Sequence, residues 1–140
     1  KQIMSRKTAR EEAFKLIYQI EFHKGDGNQI LEDFFQENPV EEEDAIYIKD
    51  VVLGTLDNLD EIDRLIDEHA VGWTTKRISK VDLSILRLAI YEILKREDIP
   101  ISVSINEAVE LAKIYDNQAA AAFINGILGS IQKKIENPKE

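Results

Sequence analysis

Apolar residues recur at intervals of three and four along almost the whole chain, and this spacing constrains the fold more than any other feature. It places an apolar stripe on one face of an α-helix. The pattern is clear in residues 9–20, 48–66, 81–93, 108–115 and 119–135. An alternating stretch at residues 99–105 contains Pro100 and Ser104, which spoil a strand pattern. We therefore predict an all-α fold.

Turn-forming residues divide these stripes into about seven helices. The first helix is expected to begin near Thr8, because Thr8 and Glu11 have capping-box spacing. Ser104 and Glu107 repeat that spacing, so another helix is expected to begin near Ser104. Breaks are expected at residues 25–28, 38–39, 54–58, 72–73, 98–100 and 116–117.

Length and composition indicate one domain. The chain has 140 residues and is 44% apolar, which is enough for a core without disulfides or a structural metal. We expect one domain over residues 1–140, with two small packed helical bundles at roughly 1–72 and 73–140. The chain contains no cysteine, which is typical of a cytoplasmic protein. No apolar run reaches the roughly 20 residues that span a membrane.

Groups suited to catalysis are sparse. His23 and His69 lie far apart, each at an expected helix end, and fit no metal-ligand spacing. Neither a phosphate-binding glycine motif nor a nucleophile elbow occurs. The acidic run at residues 41–44 fits the start of a helix, where carboxylates complement the helix dipole. We therefore expect no catalytic residues, no metal site and no cofactor.

The net charge is −9, but the charges are unevenly distributed. Residues 32–68 contain fourteen acids and two bases, whereas residues 1–10 contain Lys1, Arg6, Lys7 and Arg10 and no acid. Cations at a helix start oppose its dipole, at a cost of about 0.3–1 kcal/mol each. An external anion would offset that cost. Charge alone leaves two interpretations open, a nucleic-acid-binding arm and a solvated terminus.

Aromatic residues give a second set of candidates. Phe14, Tyr18 and Phe22 form an apolar stripe on the first helix, which either the domain or a partner protein covers. Phe123 either packs in the core or stacks on a nucleobase, which is worth ~1–3 kcal/mol per base. Arg87 interrupts an apolar run, and its guanidinium either emerges toward a ligand or pairs with an acid.

Three motifs in this sequence are specific enough to compare with known families. The first is Arg6-Lys7-x-Ala9-Arg10. The second is Trp73-x-x-x-Arg77-Ile78 followed by Val81-Asp82-x-x-Ile85-Leu86-Arg87-Leu88-Ala89. The third is Ile105-Asn106-Glu107-Ala108 with Phe123-x-Asn125-Gly126. Together they resemble the NusB family of bacterial antitermination proteins. The resemblance covers nearly the whole chain, and its second half is the more specific part. It implies seven helices in two small bundles and a non-catalytic, RNA-binding role in transcription antitermination.

The resemblance also implies partners and site residues. The partners are the box A element of nascent RNA and the ribosomal protein NusE, with NusA, NusG and RNA polymerase acting through that complex, notably in ribosomal RNA operons. The implied RNA-binding residues are Arg6, Lys7, Arg10, Arg87, Lys113 and Phe123. The implied NusE-facing residues are Tyr18, Phe22 and Asp82. Residues 119–122 are all alanine where family members carry polar or charged residues. This turn departs from the family pattern and lacks the polar groups that would contact RNA.

Two alternatives stay open at this point. A related domain precedes the catalytic domain of some ribosomal RNA cytosine methyltransferases, and this chain would then be a targeting unit. A helical scaffold that binds only protein would instead use the aromatic stripe of the first helix for homodimerisation.

Overall fold

The computed structural model describes residues 4–23 and 25–139, which form seven α-helices. The helices are α1 (Arg6–His23), α2 (Gly27–Glu37), α3 (Glu42–Asp57), α4 (Leu59–His69), α5 (Lys80–Lys95), α6 (Ile101–Tyr115) and α7 (Gln118–Glu136). The predicted all-α fold is confirmed. Lys1 of the basic segment and the side chain of His23 lie outside the described part of the chain.

Two helices begin about one turn earlier than predicted. The hydroxyl of Ser5 accepts a hydrogen bond from the Thr8 amide at 3.1 Å, so α1 begins at Arg6 and not near Thr8. Helix α6 begins directly after Pro100, whose φ of −59° is already helical. Ser104 therefore lies inside α6, where it is buried. Both capping-box predictions are wrong because a better start signal lies upstream.

The remaining breaks follow the predicted turn residues. Asp26, Ser79 and Asn117 cap α2, α5 and α7, and each side chain accepts a hydrogen bond from a backbone amide in the first turn. Asn58 separates α3 from α4, and its side-chain amide donates to the carbonyl of Gly54 at 2.7 Å. The long stretch at residues 48–66 thus forms two helices, as predicted.

Helix α5 lies at the centre of the molecule and packs against α1, α3, α4, α6 and α7. Buried apolar residues from all seven helices form one continuous core. Helix α4 contacts α7 as well as α5, and His69 Nδ1 is 2.7 Å from Ser130 Oγ across that contact. These contacts join a helix before residue 72 to helices after it. The boundary between two bundles at that residue stays a prediction.

Helices α1 and α6 run side by side in the same direction on α5. Lys7 near the start of α1 contacts Glu107, and Phe14 further along contacts Tyr115, with ring centroids 5.0 Å apart. The start of α1 is therefore at one end of the molecule, which we call the arm end. The end of α1 and the starts of α5 and α7 lie at the other, roughly 24 Å away at 1.5 Å per helical residue. We call it the cleft end.

Within the described ranges, no helix combines the length and apolar character needed to cross a membrane.

Candidate nucleic-acid interface

At the arm end, two cations of the basic segment can be reached from outside. The Lys7 side chain is exposed, and its Nζ lies 3.4 Å from Glu107 Oε1. The Arg6 guanidinium is half-buried and stacks on the ring of Tyr47, 4.2 Å from the ring centroid. Such stacking fixes a guanidinium while leaving its N–H groups at the ring edge to bind an anion.

Arg10, the third cation of this segment, is enclosed. Only 5% of the residue is exposed. Its Nε lies 2.9 Å from Glu92 Oε2, and its Nη2 lies 3.3 Å from Glu92 Oε1. This burial leaves Arg10 little surface for a direct RNA contact, and its role in RNA binding stays a prediction. A guanidinium this deeply buried requires a paired acid, and Glu92 supplies it.

Glu92 organises a buried cluster that we call the Glu92 hub, consisting of Arg10, Tyr47, Glu92 and Ser104. Besides Arg10, the carboxylate accepts hydrogen bonds from the hydroxyls of Tyr47 and Ser104, the latter at 2.7 Å. These four residues lie on α1, α3, α5 and α6. The hub thus fixes the start of α1 against the body of the protein and positions Arg6 and Lys7.

Two hub residues, Arg10 and Tyr47, keep their protonation states in the physiological range. Burial alone would lower the pKa of Arg10, but Glu92 more than compensates and the pKa is raised. Burial raises the pKa of the Tyr47 hydroxyl, and the neighbouring Glu92 raises it further. Arg10 therefore stays a cation and Tyr47 a neutral hydrogen-bond donor throughout the physiological range.

Arg87 also lies inside an ion-pair cluster. Its Nε and Nη2 donate to the two carboxylate oxygens of Asp63 at 2.9 and 2.8 Å, and its Nη1 lies 3.4 Å from Glu21. The residue is buried. Of the two interpretations of Arg87, the ion pair is the one observed, and its role in RNA binding stays a prediction.

Lys113 and Lys15 lie between the two ends of the molecule. Lys113 on α6 is exposed, and its Nζ lies 3.2 Å from Glu110. Lys15 on α1 is exposed as well and pairs with Glu12 at 3.5 Å. Exposed ion pairs of this kind contribute about 0–1 kcal/mol, so a phosphate can replace the carboxylate at little cost.

At the cleft end, two aromatic rings border a cleft of about 360 Å³. Trp73, in the connection between α4 and α5, is 47% exposed. Its ring centroid is 6.1 Å from that of Phe123 on α7, with 67° between the ring planes. The Arg77 guanidinium lies 5.7 Å from the Trp73 ring centroid. Phe123 packs partly against the core and also lines the cleft, which we call the Trp73 cleft.

Two carboxyl groups line the same cleft. Asp82, near the start of α5, is only 8% exposed, and its Oδ1 has no hydrogen-bond partner among the described residues. Burial raises the pKa of Asp82 to about 7, and the nearby carboxylate of Asp116 contributes to the rise. Asp82 was expected to face a protein partner, but what remains of its surface lines this cleft.

Tyr18 and Phe22 form a second aromatic feature at the cleft end. Their rings stack with centroids 6.0 Å apart and 21° between the planes. Phe22 is 60% exposed and Tyr18 is half-buried. Beside them, Lys80 Nζ lies 3.0 Å from Glu21 Oε1. The structure thus joins two of the expected partner-facing residues into one patch, named the Tyr18 patch, and places Asp82 apart from it.

Comparison with known proteins now identifies the family. The sequence model of the NusB family matches residues 7–133. The chain belongs to the NusB family. The transcription antitermination protein NusB of Acetivibrio thermocellus is 50% identical over 93% of this chain and 90% of its own length. The NusB protein of Bacillus pumilus is 38% identical, over 95% and 98%.

Solved structures of NusB proteins have the same fold. T. maritima NusB superposes with a TM-score of 0.87 and 38% identity, over 95% of this chain and 94% of that one. A chain from a structure of the antitermination factors NusB and NusE in complex with dsRNA gives a TM-score of 0.80 and 27% identity, over 91% and 96%.

Within this NusB-family fold, sequence reasoning missed two features. It gave no role to Glu92, although an isolated acid in the apolar run of α5 indicates a buried cation partner. It also gave no binding role to Trp73, Arg77 or Asp116, which the fold brings to one cleft. The spacing of Trp73 and Arg77 was noticed only as part of the family motif.

Proposed function

We propose that this chain is a non-catalytic antitermination factor that binds box A RNA together with NusE and promotes read-through by RNA polymerase, notably in ribosomal RNA operons. One observation carries the proposal, the likeness over 91% of the chain to a structure of NusB and NusE with dsRNA. NusA and NusG act with the assembled complex, and its site of action is the cytoplasm.

The RNA-binding surface in this proposal runs along α1 and α6 from the arm end to the cleft end. Arg6 and Lys7 contact phosphates at one end, Lys113 contacts the backbone between them, and Phe123 stacks on a base at the other. Arg10 and Arg87 take part indirectly, because their ion pairs hold α1 and α5 in place. The many acids elsewhere repel RNA and restrict it to this path.

The NusE-binding surface in this proposal is the Tyr18 patch. An exposed aromatic pair flanked by charged residues is typical of a protein interface. Asp82, the third residue expected to face NusE, lies apart from this patch and lines the Trp73 cleft. The acidic segment at residues 32–68 adds charge complementarity, because ribosomal proteins are basic.

Fluorescence anisotropy of a labelled box A oligonucleotide, with and without NusE, tests this function. We expect NusE to tighten binding, and a scrambled oligonucleotide to bind more weakly. Replacing Arg6 and Lys7 together by alanine removes two phosphate contacts. The slope of log affinity against log salt should then fall in magnitude by about 1.4, at about 0.7 per phosphate on a single strand.

Lys95→Ala is the matched control, since Lys95 is an exposed lysine that also forms one ion pair, with Glu61 at 3.5 Å. Its affinity and salt slope should equal those of the unaltered protein. If the double variant keeps the original slope, the arm does not contact RNA. If the protein binds no box A RNA in either condition and sediments as a homodimer, the protein-only scaffold replaces this proposal.

A further inference from the structure

The Trp73 cleft combines aromatic rings with buried and exposed carboxyl groups. The aromatic rings of Trp73 and Phe123 form its walls, and the Arg77 guanidinium lies over the Trp73 ring. The side chain of Asp82 lies at its floor, with Asp116 nearby. Its volume, about 360 Å³, is in the range of small-ligand sites.

The floor of the cleft accepts hydrogen bonds and has few donors of its own. Asp82 is more than nine-tenths buried, yet no donor among the described residues reaches its Oδ1. The Ser79 hydroxyl caps α5 by accepting from the Asp82 amide at 3.1 Å, and its interaction with the Asp82 carboxylate lowers the pKa of that group, yet Oδ1 stays without a hydrogen bond among the described residues. A buried acceptor without a donor is unfavourable. A ligand that carries N–H groups would remove this deficit.

Flat rings and a carboxylate floor together select a nucleobase. Stacking on aromatic side chains accepts any base, because every base has a π-face. The floor discriminates among bases through their hydrogen-bonding edges. The Watson–Crick edge of guanine has two adjacent donors, N1–H and the N2 amine. Adenine and cytosine present one amine beside a ring acceptor, and uracil presents one N–H between two carbonyls that carboxylates repel.

We propose that the Trp73 cleft binds a single guanine of the RNA, stacked on the ring of Phe123 and in edge contact with Trp73, with its N1–H and N2 amine donating to the carboxylates of Asp82 and Asp116. Arg77, at the Trp73 face, neutralises the adjoining phosphate. This inference rests on the proposed RNA-binding function, and it adds base selectivity to that function. Burial first, and the nearby Asp116 second, raise the pKa of Asp82, and a guanine edge supplies the hydrogen-bond donor that protonation of Asp82 otherwise supplies.

Trp73 is the sole tryptophan of the chain, so its fluorescence reports directly on the cleft. The probes are four heptanucleotides, three uridines on each side of a central guanosine, adenosine, cytidine or uridine. We expect the guanosine heptamer to bind about tenfold more tightly than the uridine heptamer, the discrimination that one good bidentate contact gives. Saturable quenching of Trp73 should accompany that binding.

Two variants and one control locate the selectivity. Asp82→Asn and Asp116→Asn should each reduce the preference for guanosine to less than twofold, while the uridine heptamer binds at least as tightly as before. Asp60→Asn removes the same charge at an exposed position on α4 and should keep the full preference. Circular dichroism of each variant verifies the helical fold.

Four results would overturn the inference. Equal affinities for the four heptamers would remove base selectivity, although binding of box A RNA with NusE would leave the proposed function intact. Guanosine-selective binding without a change in Trp73 fluorescence would place the site elsewhere. If NusE alone quenches Trp73 and displaces the guanosine heptamer, the cleft is a protein-binding site. Failure of every oligonucleotide to bind, box A with NusE included, would overturn both proposals.

Discussion

The arm end and the cleft end each contain a buried carboxyl group of α5, and the two groups differ in how many hydrogen-bond donors they receive. At the arm end, the carboxylate of Glu92 is fully enclosed and receives donors from Arg10, Tyr47 and Ser104. At the cleft end, Asp82 is almost as deeply buried, yet one of its oxygens has no donor among the described residues. The first arrangement stabilises the fold, whereas the second leaves hydrogen-bonding capacity for a ligand.

A similar difference distinguishes Arg6 and Lys7, which an RNA can reach, from Arg10, which holds α1 in position. The resemblance to the NusB family grouped Arg6, Lys7 and Arg10 into one basic arm, but Arg10 belongs to the interior. Its ion pair makes the arm end rigid, and rigidity there reduces the entropy lost when Arg6 and Lys7 contact RNA. The ion pair that stabilises the arm end thus also favours RNA binding along the surface that begins there.

The largest effect is expected from Glu92→Gln, which tests whether the arm end is held by the Glu92 hub. The amide keeps the volume but removes the charge that pairs most closely with Arg10, so the buried guanidinium is left with only the more distant Glu107, 3.7 Å from its Nη1. Breaking a buried pair from one side costs about 3–5 kcal/mol of unfolding free energy. Urea denaturation followed by circular dichroism measures it.

Glu107→Gln is the matched control, since Glu107 lies at the rim of the same cluster, 3.7 Å from Arg10 Nη1, and its side chain is partly exposed. Its cost should stay below about 1 kcal/mol. A loss of similar size in both variants would mean that the hub is no more important than its rim, and the comparison between the two ends would fail.

A second, smaller effect is expected when a methyl group is added where α3 packs against α5. A Cβ on Gly54 of α3 would overlap the ring of Tyr91, whose hydroxyl donates to Asp50 at 2.8 Å. Gly54→Ala should therefore destabilise the protein by about 1–3 kcal/mol, as overpacking usually does. Thermal unfolding by calorimetry is a suitable measurement.

Gly129→Ala on α7 provides the contrast. Nothing outside its own helix lies within 4 Å of a Cβ placed there. Alanine should increase the unfolding free energy by about 0.5–1 kcal/mol through its higher helix propensity. Equal effects of the two substitutions would show that α3 and α5 are not in close contact at Gly54.

The fold was largely accessible from the sequence, because helical periodicity is a local property. Two helix starts were missed, since a capping-box pattern at Thr8 or Ser104 does not reveal that Ser5 or Pro100, one turn earlier, already begins the helix. Which of two neighbouring capping residues begins a helix depends on the backbone conformation, and the sequence pattern alone does not rank them.

The candidate site was accessible only in part. Whether an arginine is exposed depends on acids far along the chain. Arg10 pairs with an acid 82 residues away, and Arg87 with one 24 residues away. The aromatic pattern offered base stacking as one of two interpretations of Phe123, and the family resemblance implied the same residue for RNA binding. It gave no ligand role to Trp73 or Asp116, because the cleft exists only where α7 packs beside the α4–α5 connection.

The smallest effect concerns the proton at the cleft end, and it shows whether Asp82 and Asp116 act as a pair. Burial first, and Asp116 second, raise the pKa of Asp82 from 3.8 to about 7. Between these values the folded protein holds a proton that the unfolded chain releases. This contribution to stability is therefore complete below about pH 4 and declines as the pH rises to about 7. Asp116→Asn removes the second cause, so the decline should become shallower.

A fall of one unit in the pKa of Asp82 corresponds to about 1.4 kcal/mol. Both proteins lose unfolding free energy between pH 5 and pH 8. We therefore expect the loss to be about 1 kcal/mol smaller for Asp116→Asn than for the unaltered protein. Urea denaturation at pH 5, 6, 7 and 8 measures the difference, with Asp60→Asn as the control for loss of one exposed charge. Parallel profiles for the two variants would mean that Asp116 does not interact with Asp82. The floor of the cleft would then hold one isolated carboxyl group and could not present two acceptors to the same base.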